Sequence, residues 1–284
     1  MAENALEKRK RLLVSADDFG WAHGVNRGII DAHRRGIVTG ASLLANGNAF
    51  LDAVELAEDT PALSLGVHLN LYRGLPVLPA DRIPSLLGAD GWFLGSWKEI
   101  LARLVAGRVS MAEVKAEFGA AIEKVEAAGV TPVRLDSEKH LHLWPSLFDV
   151  VCELAHEHGI PRVRVVREPP SPHFIPLGLS ALSRIDVRMA SARGLFFSDQ
   201  TIGVTELPID MDALRRLLAS ASGAAVELVA HPGYLDEEFW ELQERVPNKL
   251  IHSREREAAV LSSPEAVELV EQSGYTLDGG SGAT

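Results

Sequence analysis

The sequence predicts a parallel α/β fold, and three observations carry that expectation. Short apolar runs alternate with stretches of helical spacing along the chain. Four of the runs end in Asp, Glu or His, the residue types expected where parallel strands open onto a site. No internal repeat and no linker-like change of composition divides the 284 residues. One domain over residues 1–284 is therefore expected, with a flexible N-terminus of about ten residues and a mobile Gly-rich tail over Asp278–Thr284.

The elements follow in order. Arg11–Ala16 is a short apolar run with polar bounds and reads as a buried strand. Val25–Arg35 carries Val25, Ile29, Ile30 and Ala32 at helical spacing and ends at Gly36, a helix-stop signal. Thr39–Ala45 reads as a second strand, Asn48–Glu58 as a helix and Leu63–Leu69 as a third strand. Asn70–Ser96 is rich in Gly and Pro and reads as a long loop of the kind that lids and binding sites use. Helices are expected over Trp97–Ala106 and Met111–Ala128, a strand over Pro132–Asp136, and a helix from Trp144-Pro145 to His158, stopped by Gly159. Val163–Val166 reads as a strand and Pro169–Pro176 as a loop. Asp212–Ala221 reads as a helix, Val226–Ala230 as a strand, and Ser263–Gln272, with Pro264 near its start, as the last helix. Periodicity alone leaves a barrel and an open doubly wound sheet both standing.

Composition narrows the function. Apolar residues at 46% and charged residues at 24% describe an ordinary globular chain. A formal net charge of −11 repels phosphate backbones and anionic membrane surfaces, so neither nucleic acid nor membrane is an expected partner. No apolar run approaches the length of a spanning helix, and the N-terminus lacks a signal-peptide apolar core. Cys152 has no second cysteine to pair with and lies in an apolar run, so it reads as a buried small hydrophobe in a reducing, cytoplasmic setting. No phosphate-cradling glycine loop follows the first strand, which lowers the nucleotide-binding reading.

The chemistry gathers at strand ends. The first strand runs into Asp17-Asp18, the third ends at His68, the fourth enters Asp136-Ser137-Glu138-Lys139-His140-Leu141-His142, and the late strand reaches His231. Each piece alone also fits a plainer role, a turn or helix cap for Asp17-Asp18 and a satisfied core histidine for His68. Together they are oxygen and imidazole donors at one end of a parallel sheet, a set that suits a divalent metal. If extended, Glu138, His140 and His142 share one strand face.

The stretch LLVSADDFGWAHGVNRGIIDAHRRGIVTGASLLANG, followed in order by LGVHLNL, GLPVLP, LDSEKHLHLWP, RVRVVREP and AHPGY, resembles the YdjC-like carbohydrate deacetylases, the ChbG- and HpnK-like proteins among them. The resemblance spans about Arg11 to Leu277. It implies a distorted TIM-like (β/α) barrel of the glycoside hydrolase/deacetylase type. It also implies one divalent metal held by an Asp and two His, removal of acetyl from an N-acetylated amino sugar, and frequent dimers. Asp18 and His68 match two of those ligands. The third position, a His at the head of a DSHHHVH-like run, is Glu138 here, and a carboxylate can replace an imidazole. His140 and His142 match later histidines of that run and are expected at metal and substrate respectively. Arg167 matches the family's R-x-P position and is expected to pair with Asp17.

The mechanism expected from this resemblance is metal-assisted amide hydrolysis, with Zn²⁺ first and Mg²⁺, Mn²⁺ or Co²⁺ as alternatives. Asp17 serves as general base and His231 as general acid, the roles of Asp17 and Asp18 being interchangeable at this stage. Asn70, Trp92 and Tyr234 are the remaining substrate-binding candidates. Two other classes stay open: a catalytically weak sugar-binding homologue and a metal-dependent hydrolase of an ester or phosphoester.

Overall fold

The computed structural model describes residues 10–168, 174–245 and 249–279. Its strands are β1 (Lys10–Phe19), β2 (Gly40–Leu43), β3 (Ser64–Leu69), β4 (Arg134–Ser137), β5 (Arg162–Val163), β6 (Gln200–Ile202), β7 (Ala225–Ala230) and β8 (Tyr275–Leu277). Its α-helices are α1 (His23–Arg35), α2 (Phe50–Glu58), α3 (Trp97–Val105), α4 (Met111–Ala127), α5 (Pro145–Glu157), α6 (Phe174–Ala192), α7 (Met211–Ser220), α8 (Glu237–Arg245), α9 (Arg254–Leu261) and α10 (Pro264–Gln272). The strands pair in parallel in the order β5-β4-β3-β2-β1-β7-β6, and β8 joins the first residues of β1.

The two outer strands of that order come together. Val163 N–H donates to Phe196 at 3.0 Å, and Thr201 donates through its hydroxyl to Val165 at 2.9 Å and through its N–H to Arg167 at 3.2 Å. These few bonds close the sheet into a distorted (β/α) barrel. The strand expected over Val163–Val166 is regular only through Val163, and its continuation serves this seam.

Alternation along the strands decides what lies on each face. Leu12, Val14 and Ala16 of β1, Val67 and Leu69 of β3, and Leu228 and Ala230 of β7 join the apolar layer under the helices. Ser15, Asp17, His68, Arg134, Asp136, Arg164 and Glu227 take the other face and are equally buried, inside the barrel. Gly66 is required there, since a Cβ would lie 2.4 Å from Cγ of Arg134.

Several expectations change in detail. Gly36 does not end α1 in a left-handed cap; its φ is −143°, and a Cβ would fall 1.8 Å from the Leu261 carbonyl, so close approach of the α9 terminus selects glycine. The long loop after β3 is not structureless: Ala80–Arg82 and Pro84–Leu86 form 3₁₀ turns, and Leu71, Ile83, Leu86, Leu87 and Phe93 are buried. Elements β6, β8, α6, α8 and α9 were not anticipated. The loop expected over Pro169–Pro176 lies largely outside the described residues, its last three residues opening α6. The expected flexible N-terminus and residues 280–284 of the tail also lie outside them. No helix among the described residues is long and apolar enough to cross a membrane.

Candidate functional site

A bulge in β1 sets the site. Ala16 pairs with Ala41 and Phe19 with Leu43, so three steps on β1 face two on β2. Asp18, with φ of 72°, occupies the extra length, an uncommon left-handed conformation that Asp tolerates better than most residues. A regular strand sends neighbours to opposite faces. Here Asp17 and Asp18 are both buried and both join ion pairs with the same interior group of residues.

His68 and Asp136 lie opposite each other on β3 and β4. Nδ1 of His68 is 2.6 Å from Oδ1 of Asp136, whose Oδ2 accepts a 2.5 Å bond from Ser42. This leaves Nε2 of His68 facing Oδ1 of Asp18 and Oε2 of Glu138, each at 3.8 Å. Asp18, His68 and Glu138 thus present ligand atoms within 4.8 Å of one another, and Asp17, His68 and Asp136 form a second such group. Burial pulls the His68 imidazole down, but Asp17, Asp136 and Glu138 outweigh it and raise it to about 9. Burial likewise pushes the Asp18 carboxyl up, and Arg73 and Arg254 together reverse this and hold it well below the usual carboxylate range.

Guanidinium groups bind the interior together. Arg164 donates to Asp17 through both terminal nitrogens at 2.7 and 2.8 Å, to Glu227 through Nε at 2.8 Å, and lies 3.0 Å from Asp136. Arg73, in the loop after β3, bonds Oδ1 of Asp18 and approaches Oε2 of Glu138 at 2.8 Å. Arg254, the first residue of α9, bonds Oδ2 of Asp18. The expected partner of Asp17 is therefore corrected: Arg167 is exposed, and Arg164, three residues earlier and pointing inward, makes the pair. Arg164, Arg73, Arg254 and Glu227 were not anticipated, and Asp136 was read as part of the strand-end run without a role of its own. The alternation R-V-R-V-V offered a signal for Arg164, because one face of a buried strand carries both arginines.

The run after β4 is not extended. Glu138–Leu143 forms a 3₁₀ stretch, with Lys139 and His140 at φ of 55° and 52°, so Glu138, His140 and His142 do not share a strand face. Among the described residues His140 belongs to neither three-ligand group. His142 is a fully engaged core histidine: its Nε2 donates to the Arg164 carbonyl at 2.9 Å and its Nδ1 is 2.7 Å from the Ser137 hydroxyl, which corrects its expected substrate role. Asn70 is likewise committed to its own turn, accepting from Tyr72 and Arg73 N–H groups and donating to Asn46 and the Arg73 carbonyl. The Tyr234 hydroxyl donates to Asp31 at 2.7 Å.

His231 follows β7, and its N–H donates to Glu257 at 2.7 Å. Its Nδ1 is buried and has no hydrogen-bond partner among the described residues. Burial draws the ring down to about 4, so it is neutral at pH 7. Trp92 is half-buried and lines, with Trp21, Asn46, Asn48, Gly74 and Lys124, a cavity of about 200 Å³. Cys152 is a buried residue of α5, its thiol pushed up to about 12 by burial.

Similar proteins share this frame. The chain is 34% identical over 227 residues to a carbohydrate deacetylase of Brevibacillus brevis, covering 80% of this chain and 83% of that one. It is 33% identical over 263 residues to a carbohydrate deacetylase of Oceanobacillus iheyensis, covering 92% and 100%. A solved structure from Enterococcus faecalis, described as a candidate cellobiose-phosphate cleavage protein, matches with a TM-score of 0.77 at 28% identity and covers 95% of this chain and 97% of its own. The family model for YdjC-like protein matches residues 11–272, and the chain belongs to the YdjC-like family.

Proposed function

We propose that this protein is a carbohydrate deacetylase that hydrolyses the acetamide of an N-acetylated amino sugar, and that it does so with one divalent metal ion. The observation that carries the reading is the buried Asp18, His68 and Glu138 grouping at the carboxyl ends of parallel strands, in a family whose relatives bear that activity. The donors suit a divalent ion. One imidazole presents Nε2 because Asp136 engages Nδ1, the second-sphere arrangement typical of metal-bound histidine, and two carboxylate oxygens face that nitrogen. When bound, such an ion (zinc first, then magnesium, manganese or cobalt) supplies Lewis acidity toward the acetyl carbonyl and acidifies water.

The chain's own residues supply the rest. Asp17, held through both oxygens by Arg164, accepts the proton of the attacking water. His231, neutral at rest and with Nδ1 unengaged, takes up a proton and passes it to the leaving amine. Trp92 offers a ring face for a sugar in the cavity it lines. The proposed setting is the cytoplasm, on the single buried cysteine. The homodimer rests on the family resemblance alone.

A sugar-binding protein without turnover is the second reading. It is favoured by the cations that already touch every carboxylate oxygen of the grouping. Acetate release from N-acetylated amino sugars and short chitin oligomers, by chelator-treated protein with and without added metal, separates the two. Metal-dependent acetate, lowered about 10²- to 10⁴-fold in Asp17→Asn, is expected. Sugar binding by calorimetry with no acetate under any metal establishes the second reading.

A further inference from the structure

We propose, resting on the deacetylase reading, that Arg73 is a built-in competitor of the metal ion: its guanidinium holds the same carboxylate oxygens the ion needs, so the ion enters only as Arg73 leaves. The oxygens coincide atom for atom. Oδ1 of Asp18 and Oε2 of Glu138 are the two that face Nε2 of His68, and they are the two that Arg73 touches. The remaining oxygens of the pair are engaged elsewhere, Oδ2 of Asp18 by Arg254 and Oε1 of Glu138 by Lys139 at 3.2 Å.

The position of Arg73 is built. Its side chain is fully buried and its guanidinium lies 3.8 Å from the centre of the Trp21 ring. Asn70 and Asn46 fix its backbone, both donating to its carbonyl, at 2.7 and 3.1 Å. Gly74, the next residue, has φ of +80° and lines the same cavity as Trp21.

Charge explains the exclusion. Asp18 and Glu138 pair with Arg73, Arg254 and Lys139, two carboxylates against three cations, and His68 joins them to a second set in which Asp17, Asp136 and Glu227 pair with Arg164 and Arg134. A divalent ion added beside two carboxylates that already face three cations introduces uncompensated positive charge, which buried, low-dielectric surroundings penalise strongly. Departure of Arg73 removes one positive charge and frees both facing oxygens in a single movement.

The test is zinc binding by chelator-stripped protein, read by metal content and calorimetry in wild type, Arg73→Gln and Arg73→Lys. Wild type and Arg73→Lys are expected to bind weakly. Arg73→Gln is expected to hold one zinc per chain at least about tenfold more tightly, which is about 1.4 kcal/mol. Equal zinc affinity in wild type and Arg73→Gln overturns the proposal. If Arg73→Gln folds only when zinc is present, the proposal stands. If it does not fold at all, wild-type crystals soaked in millimolar zinc decide. Zinc at Asp18 and Glu138 with Arg73 displaced upholds the competition, whereas zinc beside an undisplaced Arg73, or no zinc, overturns it. Absence of acetate while zinc behaves as expected sinks the deacetylase reading and leaves the competition intact.

Discussion

Leu12, Val14 and Ala16 of β1 face the helices, whereas Ser15 and Asp17 face the barrel interior, and all five are shielded from water. The helix-facing layer is apolar and is held by removal of carbon surface from solvent, a non-directional effect spread over many contacts. The interior is held by paired charge, with Arg164 alone engaging Asp17, Asp136 and Glu227. Burial does not sort these residues; pairing does. The difference predicts how each face fails: the apolar layer loses stability in proportion to volume removed, and the interior loses it whenever one partner is deleted and the other stays behind.

The largest expected effect is therefore inside. Arg164→Met leaves three buried carboxylates short of a partner and is expected to lower unfolding free energy by about 3–5 kcal/mol in urea. A loss below about 1 kcal/mol would show that the interior network adds little, and would remove the contrast. On the other face, Leu228→Ala, at a fully buried position, is expected to cost about 2–4 kcal/mol while zinc uptake stays at the wild-type level. A change in zinc uptake would mean that the two faces are coupled.

The smallest effect concerns an exception on the helix side. Asp186 of α6 is fully buried, neither carboxylate oxygen has a hydrogen-bond partner among the described residues, and burial pushes its carboxyl up to about 7. The folded state therefore keeps this proton to higher pH than the unfolded chain. Its favourable contribution is complete below the ordinary carboxylate value of about 4 and disappears as pH rises toward 7. Asp186→Asn is expected to match wild type at pH 4 and exceed it by about 2 kcal/mol at pH 8 in urea melts. Parallel stability curves for the two proteins would show that Asp186 does not titrate in this window.

The strands and their acidic or histidine ends were legible because a buried parallel strand writes a short apolar run and its chemistry stops where the run stops. Asp17, Asp18, His68 and Glu138 were found that way. What the pattern could not show was the set of counter-charges. Arg73 lies in a loop whose geometry depends on the Asn70 and Asn46 clamps, and Arg254 opens a helix whose RERE start reads as a solvated face. Arg164 and Arg167 are three residues apart in one run, and only the inward face of the strand distinguishes them. The extended reading of Glu138, His140 and His142 failed because Lys139 and His140 turn left-handed, which periodicity does not reveal. β6 is three residues long, and α6 contains Pro176 and Gly178, so neither announces itself.

The bulge in β1 has a consequence for how this chain tolerates change in length. Two acidic residues adjacent in sequence serve one cavity only because the backbone there is one residue longer than its neighbour. The residues between Ala16 and Phe19 are Asp17 and Asp18 themselves, so a single deletion there that restored a regular ladder would leave one carboxylate where the site has two. Insertions and deletions at this point therefore act as chemical mutations, and the spacing of the strand is as much a part of the site as the aspartates themselves.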